Sequence, residues 1–124
     1  MDFTITLRQG YLRVDVYGRE TAEETKRYLA ALAAESETTG CRKAMIWIRS
    51  SRPIFRVAQY DIGEFFKQAL AAPGSKVALL ADSADIRASQ QYVEVLARQQ
   101  GVDVRAFAEE IAAVAWLTRK EAER

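Results

Sequence analysis

Arg49, Ser50, Ser51, Arg52 and Arg56 place two hydroxyls and three guanidiniums within one short stretch of chain. They come directly after the apolar run Ala44 to Ile48 and directly before an amphipathic segment that starts near Val57. Hydroxyls and guanidiniums beside the N-terminal N–H groups of a helix can hold an anion, because all three present hydrogen-bond donors toward negative charge. The plainer alternative is that these arginines are solvated, or paired with Glu20, Asp82 or Asp85. Ile54 and Phe55, next to the rigid Pro53, either plug the core or face an apolar ligand or partner. The expected binding segment is therefore Arg49, Ser50, Ser51, Arg52, Ile54, Phe55 and Arg56.

Other chemistry is sharply limited. The chain has no histidine, which removes Ser-His-Asp triads, Cys-His pairs and histidine-ligated zinc. Cys41 is the only cysteine, so an intrachain disulfide, a dithiol redox pair and a cysteine zinc cluster are all excluded. A reducing, cytoplasmic setting is expected. Glu109 and Glu110 are neighbours, about 100° apart on a helix, and make a poor acid/base pair. Asp82 and Asp85 suit helix capping. They also supply the one enzymatic alternative: an aspartate with an arginine clamp acting on a small carboxylate or phosphate. No catalytic residue, metal site or cofactor is assigned.

With 124 residues, 49% of them apolar and 28% charged, the chain suits one folded domain with its own core. The expected division is a domain over residues 1–119 and a polar tail over 120–124. Basic and acidic side chains number 18 and 17, so no large positive field exists to recruit nucleic acid. The longest apolar run, Val77 to Ala81, is far too short to span a bilayer, and the first residues lack a signal-peptide pattern. No stable membrane insertion is expected.

Phe3, Ile5 and Leu7 alternate with polar residues, as do Leu12, Val14 and Val16, and Gln9-Gly10 lies between the two sets. This pattern predicts an antiparallel hairpin. Ala22, Thr25, Leu29, Leu32 and Ala33, with Tyr28 beside them, recur at helical spacing until Thr38-Thr39-Gly40 stops the helix. Ala44–Ile48 and Val77–Ala81 are apolar on both faces and read as interior parallel strands. Between them Ala58, Ile62, Phe65, Phe66, Ala69 and Leu70 mark a second helix closed by Ala72-Pro73-Gly74. Asp82-Ser83-Ala84-Asp85 opens a third helix with Ile86, Val93, Leu96, Ala97 and Gln100 inward, ended by Gly101. Val102 and Val104 form a half-exposed strand, and a last helix carries Ile111, Val114, Ala115 and Thr118 on its apolar face. The order ββαβαβαβα predicts an α/β fold with a mostly parallel sheet and an N-terminal antiparallel hairpin.

The opening hairpin, Cys41 to Arg56, Ser75 to Ala81 and the ending Val104 to Leu117 together resemble the SpoIIAA-like group, relatives of the STAS (sulfate transporter and anti-sigma antagonist) domain, in its small stand-alone bacterial members. The resemblance implies a single SpoIIAA-like domain acting as a non-catalytic, regulatory binding or interaction module. It also implies a phosphorylatable serine after the third strand, at the place of Ser50 and Ser51. Here Arg49 stands where the family motif has aspartate, and Arg52-Pro53 follows, so the switch sequence itself is absent.

Strand alternation places Met45, Trp47 and Arg49 on one sheet face, and Tyr11 and Tyr17 on the corresponding face of the second strand. If helices cover chiefly the other face, Tyr11, Tyr17, Met45 and Trp47 form an exposed surface suited to a homodimer or protein partner. The expectation is thus a binding module that takes a partner protein or a small anionic or amphipathic ligand at the loop after the third strand.

Overall fold

The computed structural model describes residues 1–52, 62, 64–67 and 74–119. Strands β1 (Asp2–Arg8) and β2 (Tyr11–Tyr17) pair antiparallel in the register Phe3 to Val16 and Ile5 to Val14. Gly10 turns the chain between them at φ 90°, a conformation open to glycine without a Cβ clash. Helix α1 (Ala22–Thr39) starts at a capping box. The Thr21 hydroxyl accepts from the Glu24 N–H, and the Glu24 carboxylate accepts from the backbone of Glu20 and Thr21.

Strand β3 (Lys43–Arg49) leads to helix α2, whose described residues are 62 and 64–67. Strand β4 (Lys76–Ala81) precedes helix α3 (Ala84–Gln99), which Ser83 caps by accepting from the Ile86 N–H. Strand β5 (Asp103–Ala106) and helix α4 (Glu110–Thr118) complete the described chain.

The sheet runs β1-β2-β3-β4-β5, antiparallel at β1-β2 and parallel at every later step. A sequential parallel order with crossovers of one hand puts the connecting helices on a single side. That side holds the larger core, where Val14, Ile46, Leu79 and Val104 meet Leu29 and Leu32 of α1, Phe66 of α2, and Ile86 and Ala97 of α3. The opposite face is covered in part by α4: Ala113, Trp116 and Leu117 pack on Tyr11, Met45, Ala78 and Leu80. Strand β4 is buried along its whole length, as its unbroken apolar run requires when both faces are covered.

Two expectations change at this level. The buried side of α4 is Ala113, Trp116 and Leu117, whereas Ile111 is 82% exposed and Ala115 is also exposed. The helix is apolar nearly all round, so periodicity did not single out the face that docks. The open aromatic face is also reduced. With α4 across it, Met45 has no exposed surface and Tyr11 only 9%, and neither is available to a partner in this conformation. Trp47 remains half-buried and Tyr17 exposed. Among the described residues, no helix is long and apolar enough to cross a membrane. The expected Ala58, Ala69 and Leu70 of the second helix, its stop at Pro73 and the tail 120–124 lie outside the described residues.

Candidate functional site

The expected cluster after β3 separates into groups with different tasks. Arg49 is the last residue of β3 and, by strand alternation, leaves on the α4 side of the sheet. There its Nη1 donates to Asp15 Oδ1 at 2.5 Å and to the Tyr17 hydroxyl at 3.1 Å. Ser50 takes φ 51°, unusual for a residue with a Cβ, and its N–H donates to Asp82 Oδ2 at 3.1 Å. Ser51 faces inward. Its hydroxyl donates to the Arg49 carbonyl at 2.8 Å and accepts from the Arg19 N–H at 3.0 Å, joining the chain after β3 to the chain after β2. The Arg52 side chain is 78% exposed and lies 3.7 Å from Glu20, a pair too open to contribute much. Ile54, Phe55 and Arg56 lie outside the described residues. The loop is thus a structural knot whose described cations are separated and paired.

Arg49 belongs instead to a compact outer network. The Asp15 carboxylate lies between Arg49 and Arg13, whose Nε donates to Asp15 Oδ2 at 3.0 Å, and Arg13 Nη1 reaches Glu110 of α4 at 2.7 Å. The Trp47 ring lies beneath both cations, with its centroid 4.2 Å from Arg49 Cζ and 5.4 Å from Arg13 Cζ. Burial by itself raises the Asp15 pKa, but the hydrogen bonds from Arg13 and Arg49 outweigh it and hold the carboxyl below its ordinary value. The opposed charges satisfy one another and tie α4 to the sheet.

The inner side of the same rim is different. Gly18, at φ 71°, swings the chain out of β2 and donates its N–H to the Arg49 carbonyl at 3.0 Å. The next residue, Arg19, therefore drops behind the carboxyl ends of β2, β3 and β4 and is only 6% exposed. Its guanidinium donates to the Arg52 carbonyl and, at 3.5 Å, to the Thr25 hydroxyl. Its Nε has no hydrogen-bond partner, and no carboxylate pairs with it among the described residues.

Arg19 lines a cavity of about 30 Å³ together with Thr25, Tyr28, Ser89 and Gln90, and with apolar walls that include Ile48, Phe66 and Val93. Gln90 is 5% exposed. Its amide donates to the Leu80 carbonyl at 2.8 Å, and its Oε1 is unpartnered. Burial pushes the Tyr28 phenol up, with Arg19 and Thr25 pulling the other way, so the phenol enters the cavity wall as a neutral group.

Arg19 and Gln90 were not among the residues singled out from sequence. Gln90 had a legible signal, since it lies four residues after Ile86 and three before Val93, on the stripe that faces inward. Arg19 had none: a cation after a strand-ending glycine reads as exposed until the parallel register closes a loop over it.

Asp82 is engaged by Ser50, and Ser83 rather than an aspartate caps α3. Among the described residues, no three histidine, cysteine or acidic side chains gather as a metal site. The fold and cavity together define an α/β domain with a five-stranded mixed sheet and an arginine-floored pocket at the carboxyl ends of its strands. No known family model and no curated protein sequence matches the chain.

Proposed function

We propose that this chain is a non-catalytic binding module of SpoIIAA-like kind, working in the cytoplasm, that takes a small anionic, partly apolar ligand at the carboxyl-end rim of its sheet. The observation that carries this reading is Arg19, a buried guanidinium without a carboxylate partner among the described residues, forming part of an otherwise mainly apolar cavity. Burying an unpaired charge costs several kcal/mol. An anionic guest removes that cost, and strand carboxyl ends are where open α/β sheets receive ligands. Ser51 and Arg52 hold Arg19 in place, the first accepting from its backbone N–H and the second from its guanidinium.

The enzymatic alternative needs Asp82 or Asp85 to converge with free arginines. Asp82 is bonded to the loop backbone, Arg49 to Asp15, and Arg52 faces Glu20, so binding is better supported than catalysis.

The test is thermal unfolding of the full chain against a panel of carboxylates, sulfonates and inorganic phosphate, with native mass spectrometry of freshly purified protein alongside. At least one small organic anion should raise Tm, through preferential binding to the folded state. Arg52→Ala should respond as the parent does, and Arg19→Met should not respond. A panel without any stabilising anion, or loss of the response in Arg52→Ala alone, would refute the reading.

A further inference from the structure

The cavity presents two unmet demands of opposite kind, and together they narrow the chemistry of a guest. Arg19 Nε–H is a buried donor that lacks an acceptor, and Gln90 Oε1 is a buried acceptor that lacks a donor. Both residues are more than nine-tenths buried and both line the same space. Buried polar atoms are almost always satisfied in native proteins, so each orphan points to something that belongs beside it.

Water could meet both hydrogen-bonding demands, and about 30 Å³ holds roughly two waters. Water cannot supply a negative charge, and among the described residues no carboxylate pairs with Arg19. The surroundings make that charge more necessary. Thr25 stands near the start of α1, and Ile86 in the first turn of α3, so the N-terminal, positive ends of two helices border the cavity. A guanidinium there has the wrong sign for its field. Among the described acids near these helix starts, Glu24 is engaged by its own cap and the chain's amino terminus, Glu20 by Arg52, Asp82 by Ser50 and Glu23 by Lys26, while Asp85 is exposed and makes no ion pair with Arg19.

We infer that the cavity is a site for a short 2-hydroxycarboxylate, of two or three carbons, its carboxylate accepting from Arg19 Nε and its hydroxyl donating to Gln90 Oε1. The carbon skeleton lies against Ile62, Phe66 and Val93. The space of roughly two waters takes the hydroxyl and one carboxylate oxygen of such an acid, so its carbons sit at the apolar margin and a bulkier acid has no room. Gln90 selects for the hydroxyl, because an acid without one leaves the amide oxygen unpaired, a loss that binding sites built around a hydrogen bond discriminate against. The site rests on the anion-binding reading above and adds the class of ligand to it.

The experiment is titration of the full-length ¹⁵N-labelled chain with glycolate, acetate, methyl glycolate and inorganic phosphate, followed by amide chemical shifts. Glycolate should shift the amides of Thr25, Ser89 and Gln90 and bind about tenfold more tightly than acetate, and methyl glycolate should not bind. Gln90→Met, which keeps the side chain's length, should retain acetate binding and lose the preference for glycolate. Arg19 also holds the Arg52 carbonyl, so the deciding variant is placed elsewhere on the cavity wall. Val93→Phe, which fills the cavity from α3, should abolish glycolate binding while leaving the outer network at Trp47 unshifted. Equal binding of acetate and glycolate would overturn the hydroxyacid assignment and leave the anion site standing. Glycolate shifts centred on Arg49 and Arg52 would overturn the location. Shifts of these amides by phosphate but by no carboxylate would overturn the hydroxyacid assignment alone; if neither a carboxylate nor phosphate shifts them, the cavity holds water only, and both this assignment and the anion-binding reading fail.

Discussion

Asp15 shows how much one side chain can depend on a neighbour remote in sequence. Its carboxylate accepts from Arg13, two residues away on the same strand, and from Arg49 on the next strand, and Trp47 beneath them confines the cations. Its pKa is held below the ordinary 3.8, so the unfolded chain takes up the proton first as pH falls. The stabilisation is therefore complete above the unfolded value and is lost as pH drops through the folded one. Urea unfolding at stepped pH should show a loss of stability below about pH 4 that is shallower in Asp15→Asn. At neutral pH that variant should be destabilised by about 1–3 kcal/mol, the usual range for leaving a partly buried charged donor without its acceptor.

The sequence displayed the residue types of this network but not their pairing. Arg49 stood among other arginines; alternation put it on the face of Tyr17 and so of Asp15, but only the parallel pairing of β2 with β3 brings the two side chains together. The same blindness concealed Arg19, whose burial follows from the turn at Gly18 and the closure of the loop after β3. A polar residue on an inward helical stripe, as Gln90 is, could have been found.

At the scale of elements, α4 is where pattern reasoning went astray. A helix reading Glu-Ile-Ala-Ala-Val-Ala-Trp-Leu-Thr has apolar residues on every side, so the 3.6-residue period carries no preference for one face. Docking against Met45 and Leu80 makes the choice and buries Trp116 and Leu117. Leu117→Ala should cost about 2–5 kcal/mol, as truncation of a fully buried leucine does. Ile111→Ala should change stability by no more than about 0.5 kcal/mol, as is usual at an exposed position. Chemical denaturation of the two variants checks both, and a larger loss at Ile111 would mean that α4 sits on its other side.

Elements with strong local signals were readable without any such partner. Gly40, expected to stop α1, does so at φ 74°; the Thr21–Glu24 capping box at the other end is just as local but was not singled out from sequence.

For the molecule as a whole, stability should be graded across the sheet. β3 and β4 are hydrogen-bonded on both edges, and the connecting helices cover one face and α4 much of the other, whereas β1 is an edge strand with exposed or half-exposed residues throughout. Native-state hydrogen exchange should therefore leave the amides of Ala44–Ile48 and Val77–Leu80 protected longest, with β1 opening first among the strands. Exchange of β4 ahead of β1 would contradict the sheet order.

What the amino-acid sequence determined by itself was the succession of elements and the α/β class, because strand and helix periodicities, caps and turn glycines are written in residues within a few positions of one another. It also determined what is chemically out of reach, since a chain without histidine and with one cysteine cannot build imidazole or dithiol chemistry. Tertiary structure alone decided which face α4 covers, which arginine is paired and which is buried, and where the cavity lies. Those outcomes depend on contacts among β2, β3, β4, α1, α3 and α4 that join residues dozens of positions apart, and local pattern does not encode the direction in which a packed side chain finally points.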